Sequence, residues 1–264
     1  MLDRARARLR GALERTVDEV VRRRLDARFE QHEQWLQGQL DRVLEEQNDA
    51  DRRARRDIFQ AAEREAARSS ARFAAEHFPT ATVYFDKHAT LEHAVKAAPA
   101  GGLALEFGVY SGTTLALIAK LRSGDVYGFD SFEGLPEDWR STFEAGTFAV
   151  DELPQVPGAE LVVGWFDDTL PGFLAEHEGP VSLLHVDGDL YSSARTVLDL
   201  CGPRLVEGSI VIFDEYFNYP GWEQHEHRAW QEYVDRTGTE FTYEAYTGDD
   251  EQVVVRITRP GLRS

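Results

Sequence analysis

The sequence predicts an α/β fold. The reading is a doubly wound, mostly parallel sheet of seven strands with an antiparallel edge strand, preceded by a long helical arm. Three observations carry it. The first 75 residues hold no proline and only two glycines, Gly11 and Gly38. From Leu103 onward, short apolar runs alternate with amphipathic segments. The last two apolar runs have no helix between them. Strands alternating with helices are βαβ units whose helices cover both sheet faces, and a closing hairpin supplies the antiparallel strand.

The arm is read over residues 1–78 and the sheet domain over 79–264. The arm is rich in Arg, Glu, Gln, Ala and Leu, all good helix formers. Leu36, Leu40, Val43, Gln47, Ala50, Ala54, Ile58 and Ala61 step mostly by fours and threes, the spacing of a coiled-coil seam. Leu2, Ala5, Leu9, Leu13, Val17 and Val20 continue a similar stripe upstream. The reading is a helix that drives homo-oligomer formation; the alternative is a helix folded back on its own domain. Pro79 ends it, and 78–88 reads as a linker. A short helix over 87–98 stops at Pro99 and the Gly101-Gly102 pair.

The sheet follows in order. Strands are predicted at 103–107, 126–129, 161–163, 181–186, 209–213, 241–246 and 252–257. Helices are predicted at 112–121, 168–177, 190–200 and 222–237. A long loop rich in Pro, Gly and acidic residues follows the second strand. Such sheets bind ligands at the carboxyl ends of their strands.

Composition narrows the function. The net charge is −18. Residues 1–75 carry 17 Arg against 15 Asp+Glu, which leaves 12 Lys+Arg against 32 Asp+Glu for the rest. A domain that acidic repels phosphate backbones, so nucleic acid is not the expected partner. One cysteine, Cys201, excludes an intramolecular disulfide and a multi-cysteine zinc site. No apolar run is long enough to span a membrane, no secretory leader is evident, and a cytoplasmic setting is expected.

The turn after the first strand reads Leu105-Glu106-Phe107-Gly108-Val109-Tyr110-Ser111-Gly112-Thr113-Thr114. Gly108 permits a tight turn, and Gly112 opens a helix whose free N–H groups suit an anionic group. The spacing differs from the three-glycine dinucleotide fingerprint. Asp130, 22 residues after Gly108, ends the second strand, where a carboxylate accepts hydrogen bonds from ribose hydroxyls. Trp165 and Phe166 follow the third strand, where either ring suits an adenine.

Strand four runs into His185-Val186-Asp187-Gly188-Asp189-Leu190-Tyr191, and strand five into Ile212-Phe213-Asp214-Glu215-Tyr216. Four carboxylates at neighbouring strand ends need a cation or protons to neutralise them, and hard oxygen ligands suit Mg²⁺, Ca²⁺ or Mn²⁺. Asp187, Asp214 and Glu215 are assigned to the metal and Asp189 to a general base. The alternative for Asp189 and Asp214 is helix capping. Tyr191, Tyr216 and His225 are the substrate-pocket candidates.

The runs Leu105–Thr114, Gly128–Pro136, Gly164–Pro171 and Asp187–Ser192 together resemble the macrocin O-methyltransferase type, over about residues 85–258. The glycine turn itself resembles the first motif of class I S-adenosylmethionine-dependent methyltransferases. The resemblance implies a Rossmann-like domain and Mg²⁺-dependent methylation of a sugar hydroxyl. It also implies a cofactor site at Glu106, Gly108, Asp130 and Ser131, and a metal at Asp187 and the pair after strand five, with Asp189 as base. The chain departs from the family at that pair, having Asp214-Glu215 where two aspartates are usual. Two other readings remain at this point: a nicotinamide-dependent oxidoreductase and a non-catalytic oligomeric scaffold.

Overall fold

A computed structural model describes residues 2–140 and 143–261, with the side chains of residues 2–5, 7 and 8 outside the description. Leu2 and Ala5 of the upstream stripe therefore lie outside the described side chains. The chain divides into two compact units, Met1–Gln60 and Ala61–Ser264.

In the first unit, α1 (Leu2–Ala54) is one uninterrupted helix, about 80 Å long at the standard rise. Leu9, Leu13, Val17, Val20, Leu36, Leu40 and Val43 are all exposed along it. The helix does not continue through Ile58 as the seam suggests. It breaks at 55–57, where Asp57 Oδ1 accepts hydrogen bonds from the Phe59 and Gln60 N–H groups and so starts α2 (Ile58–His77).

The second unit begins at Ala61, earlier than the boundary at 79 read from the sequence. Ala66 and Ser70 of α2 are buried, and Phe73 packs its ring on Phe78, Trp222, His227 and Tyr243. Ser69 Oγ accepts from Trp222 Nε1 at 3.0 Å, and Ser70 Oγ from the Asn218 N–H at 2.8 Å. The end of α2 thus belongs to the core.

The sheet has eight strands. They are β1 (Thr82–Tyr84), β2 (Leu103–Phe107), β3 (Val126–Asp130), β4 (Glu160–Val163), β5 (Val181–Val186), β6 (Leu205–Phe213), β7 (Glu240–Thr247) and β8 (Val253–Arg259). Their order is β1-β7-β8-β6-β5-β2-β3-β4. Two features differ from the sequence reading. Residues 82–84, taken as linker, pair parallel with β7 and form the edge. The antiparallel strand is β8, which lies inside the sheet between β6 and β7. Helix α3 (Lys87–Ala97) starts on Asp86, whose side chain accepts from the Ala89 N–H at 2.8 Å. The helices α4 (Thr113–Leu121), α5 (Phe166–Glu176), α6 (Tyr191–Cys201) and α7 (Glu226–Thr237) follow. The segment read as one helix over 222–237 is a short 3-10 turn at Trp222–Gln224 followed by α7.

Both faces are covered, which explains why β2 and β5 are buried at every residue. One core joins α3 and α4 to the sheet through Leu91, Val95, Leu115, Ile118 and Leu183. The other joins α2, α5, α6 and α7 through Ala66, Phe173, Val197, Trp230 and Phe213. From β2 the chain steps outward to β3 and β4, then returns to β5 on the other side of β2. That reversal opens a crevice between β2 and β5, the place where doubly wound sheets bind ligands.

Candidate active site

Four strand ends meet in register. Phe107 pairs with both Phe129 and Val186, and Val186 pairs with Phe213. The residues that follow form a row: Gly108, Asp130, Asp187 and Asp214. Backbone hydrogen bonds extend the ladder into that row, from the Asp187 N–H to Phe107 O at 2.8 Å and from the Asp214 N–H to Val186 O at 3.0 Å. A cavity of about 570 Å³ opens over it.

At one end lies the glycine turn. Gly108 has φ +97°, and a Cβ there would stand 1.7 Å from the Asp187 carbonyl oxygen. Glycine is thus demanded by the adjacent β5 backbone, beyond any ligand it faces. Asp130 Oδ2 accepts from the Val109 and Tyr110 N–H groups at 2.8 Å each, and Oδ1 accepts from the Phe132 N–H at 2.7 Å. The carboxylate pins the turn and also lines the cavity, as do Ser131, Trp165 and Phe166. Glu106 lies beneath the turn, fully buried. It accepts from Thr114 Oγ1 and sits 3.0 Å from His185 Nδ1. Gly112 (φ +76°) abuts Pro154 and Val156.

At the other end lie Asp187, Asp189, Asp214 and Glu215, all lining the same cavity. Neither Asp189 nor Asp214 caps a helix: Leu190 is the N-cap of α6 and makes no side-chain cap bond, and the element after Asp214 starts only at Trp222. Asp189 holds φ +60°, a left-handed conformation uncommon outside glycine and found at sites where the surroundings over-determine the backbone. Burial pushes its carboxyl up to about 7, against the pull of Arg140. Burial, with the charge of Asp214, drives Asp187 well above the carboxylate range, and the same causes do so for Glu215. Asp214 goes the other way. Burial opposes its charge, but His185 and Lys87 outweigh burial and hold it below the usual range. Its Oδ1 is 3.7 Å from His185 Nε2, and its Oδ2 is 3.9 Å from Lys87 Nζ.

A divalent ion fits this set. Ligand atoms of His185, Asp187 and Asp214 lie within 4.8 Å of one another. Glu215 Oε2 is buried without a hydrogen-bond partner beside them. The His185 ring is fixed by Glu106 at Nδ1, the outer support that metal-binding imidazoles use.

Of the pocket candidates, Tyr191 hydrogen-bonds to Glu232, and Tyr216 is buried against Tyr243 and Phe73. His225 packs between Trp139 and Tyr219. None of the three is among the residues lining the cavity. The wall there is built instead by residues the sequence reading passed over. Trp139, Phe143 and Phe148 come from the loop after β3. Arg140 holds that loop: its Nη1 donates to both Glu251 carboxylate oxygens at 3.0 Å, and its guanidinium stacks 4.0 Å from Trp139 and 4.7 Å from Tyr219. Glu226, also unforeseen, is fully buried and accepts from the Glu215 N–H at 3.0 Å. No short-range pattern marks it, because its partner is 11 residues away across a loop.

Residues 105–216 match the methyltransferase domain family. Two relatives with assigned names are O-methyltransferases. The chain is 34% identical over 139 residues to the 8-demethyl-8-(2,3-dimethoxy-alpha-L-rhamnosyl)-tetracenomycin-C 4'-O-methyltransferase of Streptomyces olivaceus, covering 42% of this chain and 52% of that protein. The chain thus spans about half the length of that relative. It is 28% identical over 202 residues to the mycinamicin III 3''-O-methyltransferase of Micromonospora griseorubida, covering 64% and 76%. The crystal structure of the calicheamicin methyltransferase CalS11 superposes with a TM-score of 0.51 at 26% identity, over 64% of this chain and 77% of that one.

Gly108→Ala should lower unfolding stability by about 3 kcal/mol or more, since both the positive φ and the Asp187 carbonyl exclude a methyl group. Urea unfolding measures it; a midpoint equal to wild type would contradict this account of the turn.

Proposed function

We propose that this chain transfers a methyl group from S-adenosylmethionine to a hydroxyl of a sugar or glycosylated small molecule, with a divalent metal at the carboxylate end of the cavity. One observation supports the reading above the others. A single cavity holds the glycine turn and Asp130 at one end, and Asp187, Asp189, Asp214 and Glu215 at the other. The relatives' names point to the same acceptor class.

The roles follow from position. Asp130 and Ser131 face the ribose, and Trp165 and Phe166 the adenine. Gly108 leaves the backbone open to the amino-acid end. Asp187, Asp214 and Glu215 hold the ion, with His185 against them and Glu106 fixing its ring. When bound, Mg²⁺ would orient the acceptor oxygens and acidify one hydroxyl. Asp189 takes the proton from that hydroxyl, a contribution of roughly 10²–10⁴-fold. Trp139, Phe143 and Phe148 give the acceptor an apolar face, and Arg140 fixes the loop that presents them. Most of the remaining acceleration is positioning.

We infer further that α1 joins a second copy of this chain. The supporting observations are the three-four spacing from Leu36 to Ala54 and the exposure of Leu36, Leu40 and Val43. A seam of that spacing buries its apolar side chains against a second helix.

Two tests belong to this reading. Asp189→Asn should abolish transfer of labelled methyl to a panel of glycosides while S-adenosylhomocysteine still binds. Wild-type kcat/KM should rise with pH while Asp189 ionises and then level off, because the base works only unprotonated. Unchanged turnover in the variant sinks the base assignment. For the arm, light scattering of the full chain should show an oligomer that Leu40→Glu with Val43→Glu converts to monomer. A monomeric wild type would remove self-association.

A further inference from the structure

Among the described residues lining the cavity, Lys87 is the one cation to which the roles above give no task. The chain has only three lysines, Lys87, Lys96 and Lys120, among its 29 basic residues. A compact ammonium rather than a guanidinium stands here, in a chain that otherwise uses arginine. Its place in the fold works against a positive charge. It is the first residue of α3, where the helix dipole disfavours cations. The sheet supplies the compensation. Lys87 reaches over the strand ends to Asp214 Oδ2 at 3.9 Å, and the charges of Asp187, Asp250 and Glu215 also act on it. Among the described residues, the other cation lining the cavity is Arg140, whose Nη1 is committed to Glu251.

Asp214 is therefore held by two protein cations, His185 at Oδ1 and Lys87 at Oδ2. His185 is buried and fixed by Glu106. The Lys87 side chain is about half exposed, 45%, and sits at the end of four rotatable bonds. It is the member of the pair that can swing away.

We propose that Lys87 is a built-in counter-cation that occupies Asp214 in the absence of metal and competes with the divalent ion for it. This rests on the metal reading above. The physical basis is elementary. A single positive charge within a few ångströms of a cation site lowers the affinity for a second cation, and partial burial limits solvent screening. Lys87 also keeps the carboxylate cluster partly neutralised while the site waits for metal, so chelation leaves a compensated site rather than a bare cluster of like charges.

The test is Mn²⁺ binding to the full chain, read as free-ion signal by electron paramagnetic resonance, for wild type, Lys87→Met, Lys87→Gln and Lys87→Arg. The two neutral variants should bind Mn²⁺ roughly tenfold tighter or more. Lys87→Arg, which keeps the charge, should bind as wild type does. The pair of neutral variants guards against one that fails to fold, and S-adenosylhomocysteine binding checks each. Mn²⁺ affinity that is unchanged or weaker in the neutral variants overturns the role of Lys87 and leaves the metal site standing. No Mn²⁺ bound by any of the four overturns both.

Discussion

Asp187, Asp189, Asp214 and Glu215 share one cavity, and their mutual repulsion is the constraint to which the surrounding structure answers. Like charges at this spacing raise each other's pKa, and burial adds to the effect. Only Asp214 is held below the carboxylate range, and it is the one flanked by His185 and Lys87. Around it the fold places counter-charges at graded depth. His185 is buried and tied to Glu106, Arg140 bridges to Glu251, and Lys87 stands half in solvent. Such an arrangement lets the fold keep a cluster of carboxylates in one cavity.

The sheet makes this crowding unavoidable. The register of β2, β3, β5 and β6 brings Gly108, Asp130, Asp187 and Asp214 into one row. The chain reversal between β2 and β5 opens the cavity there. The same geometry makes glycine obligatory at 108, because the β5 exit passes too close for any side chain. On the proposed reading, one strand register sets both the cofactor end and the acceptor end, with methyl donor and acceptor side by side.

Much of this is legible in the sequence because it is local. Strands β3, β5 and β6 are largely apolar runs with a carboxylate at or just after the end of each: Asp130 ends β3, and Asp187 and Asp214 directly follow β5 and β6. Asp130, Asp187, Asp189, Asp214 and Glu215 stand out for that reason. What is not legible depends on long-range pairing. β1 is only three residues, two of them exposed, and it exists by pairing with β7, about 160 residues later. The β7–β8 hairpin is readable, but nothing local says that β8 inserts beside β6. The clasp from Arg140 to Glu251 spans 111 residues. Tyr216 follows Glu215 directly, yet its ring packs into the aromatic core with Tyr243 instead of facing the cavity. Glu106 reads as a cofactor ligand from its motif, but its partners Thr114 and His185 hold it under the turn.

On the proposed reading, the crevice between β2 and β5 holds S-adenosylmethionine next to a metal site. Calorimetric titration of the full-length chain with S-adenosylhomocysteine, with Mg²⁺ and with chelator, tests it most directly. The account predicts micromolar binding in both conditions, with a heat or affinity that changes when Mg²⁺ is present. Absence of binding in either condition would contradict it.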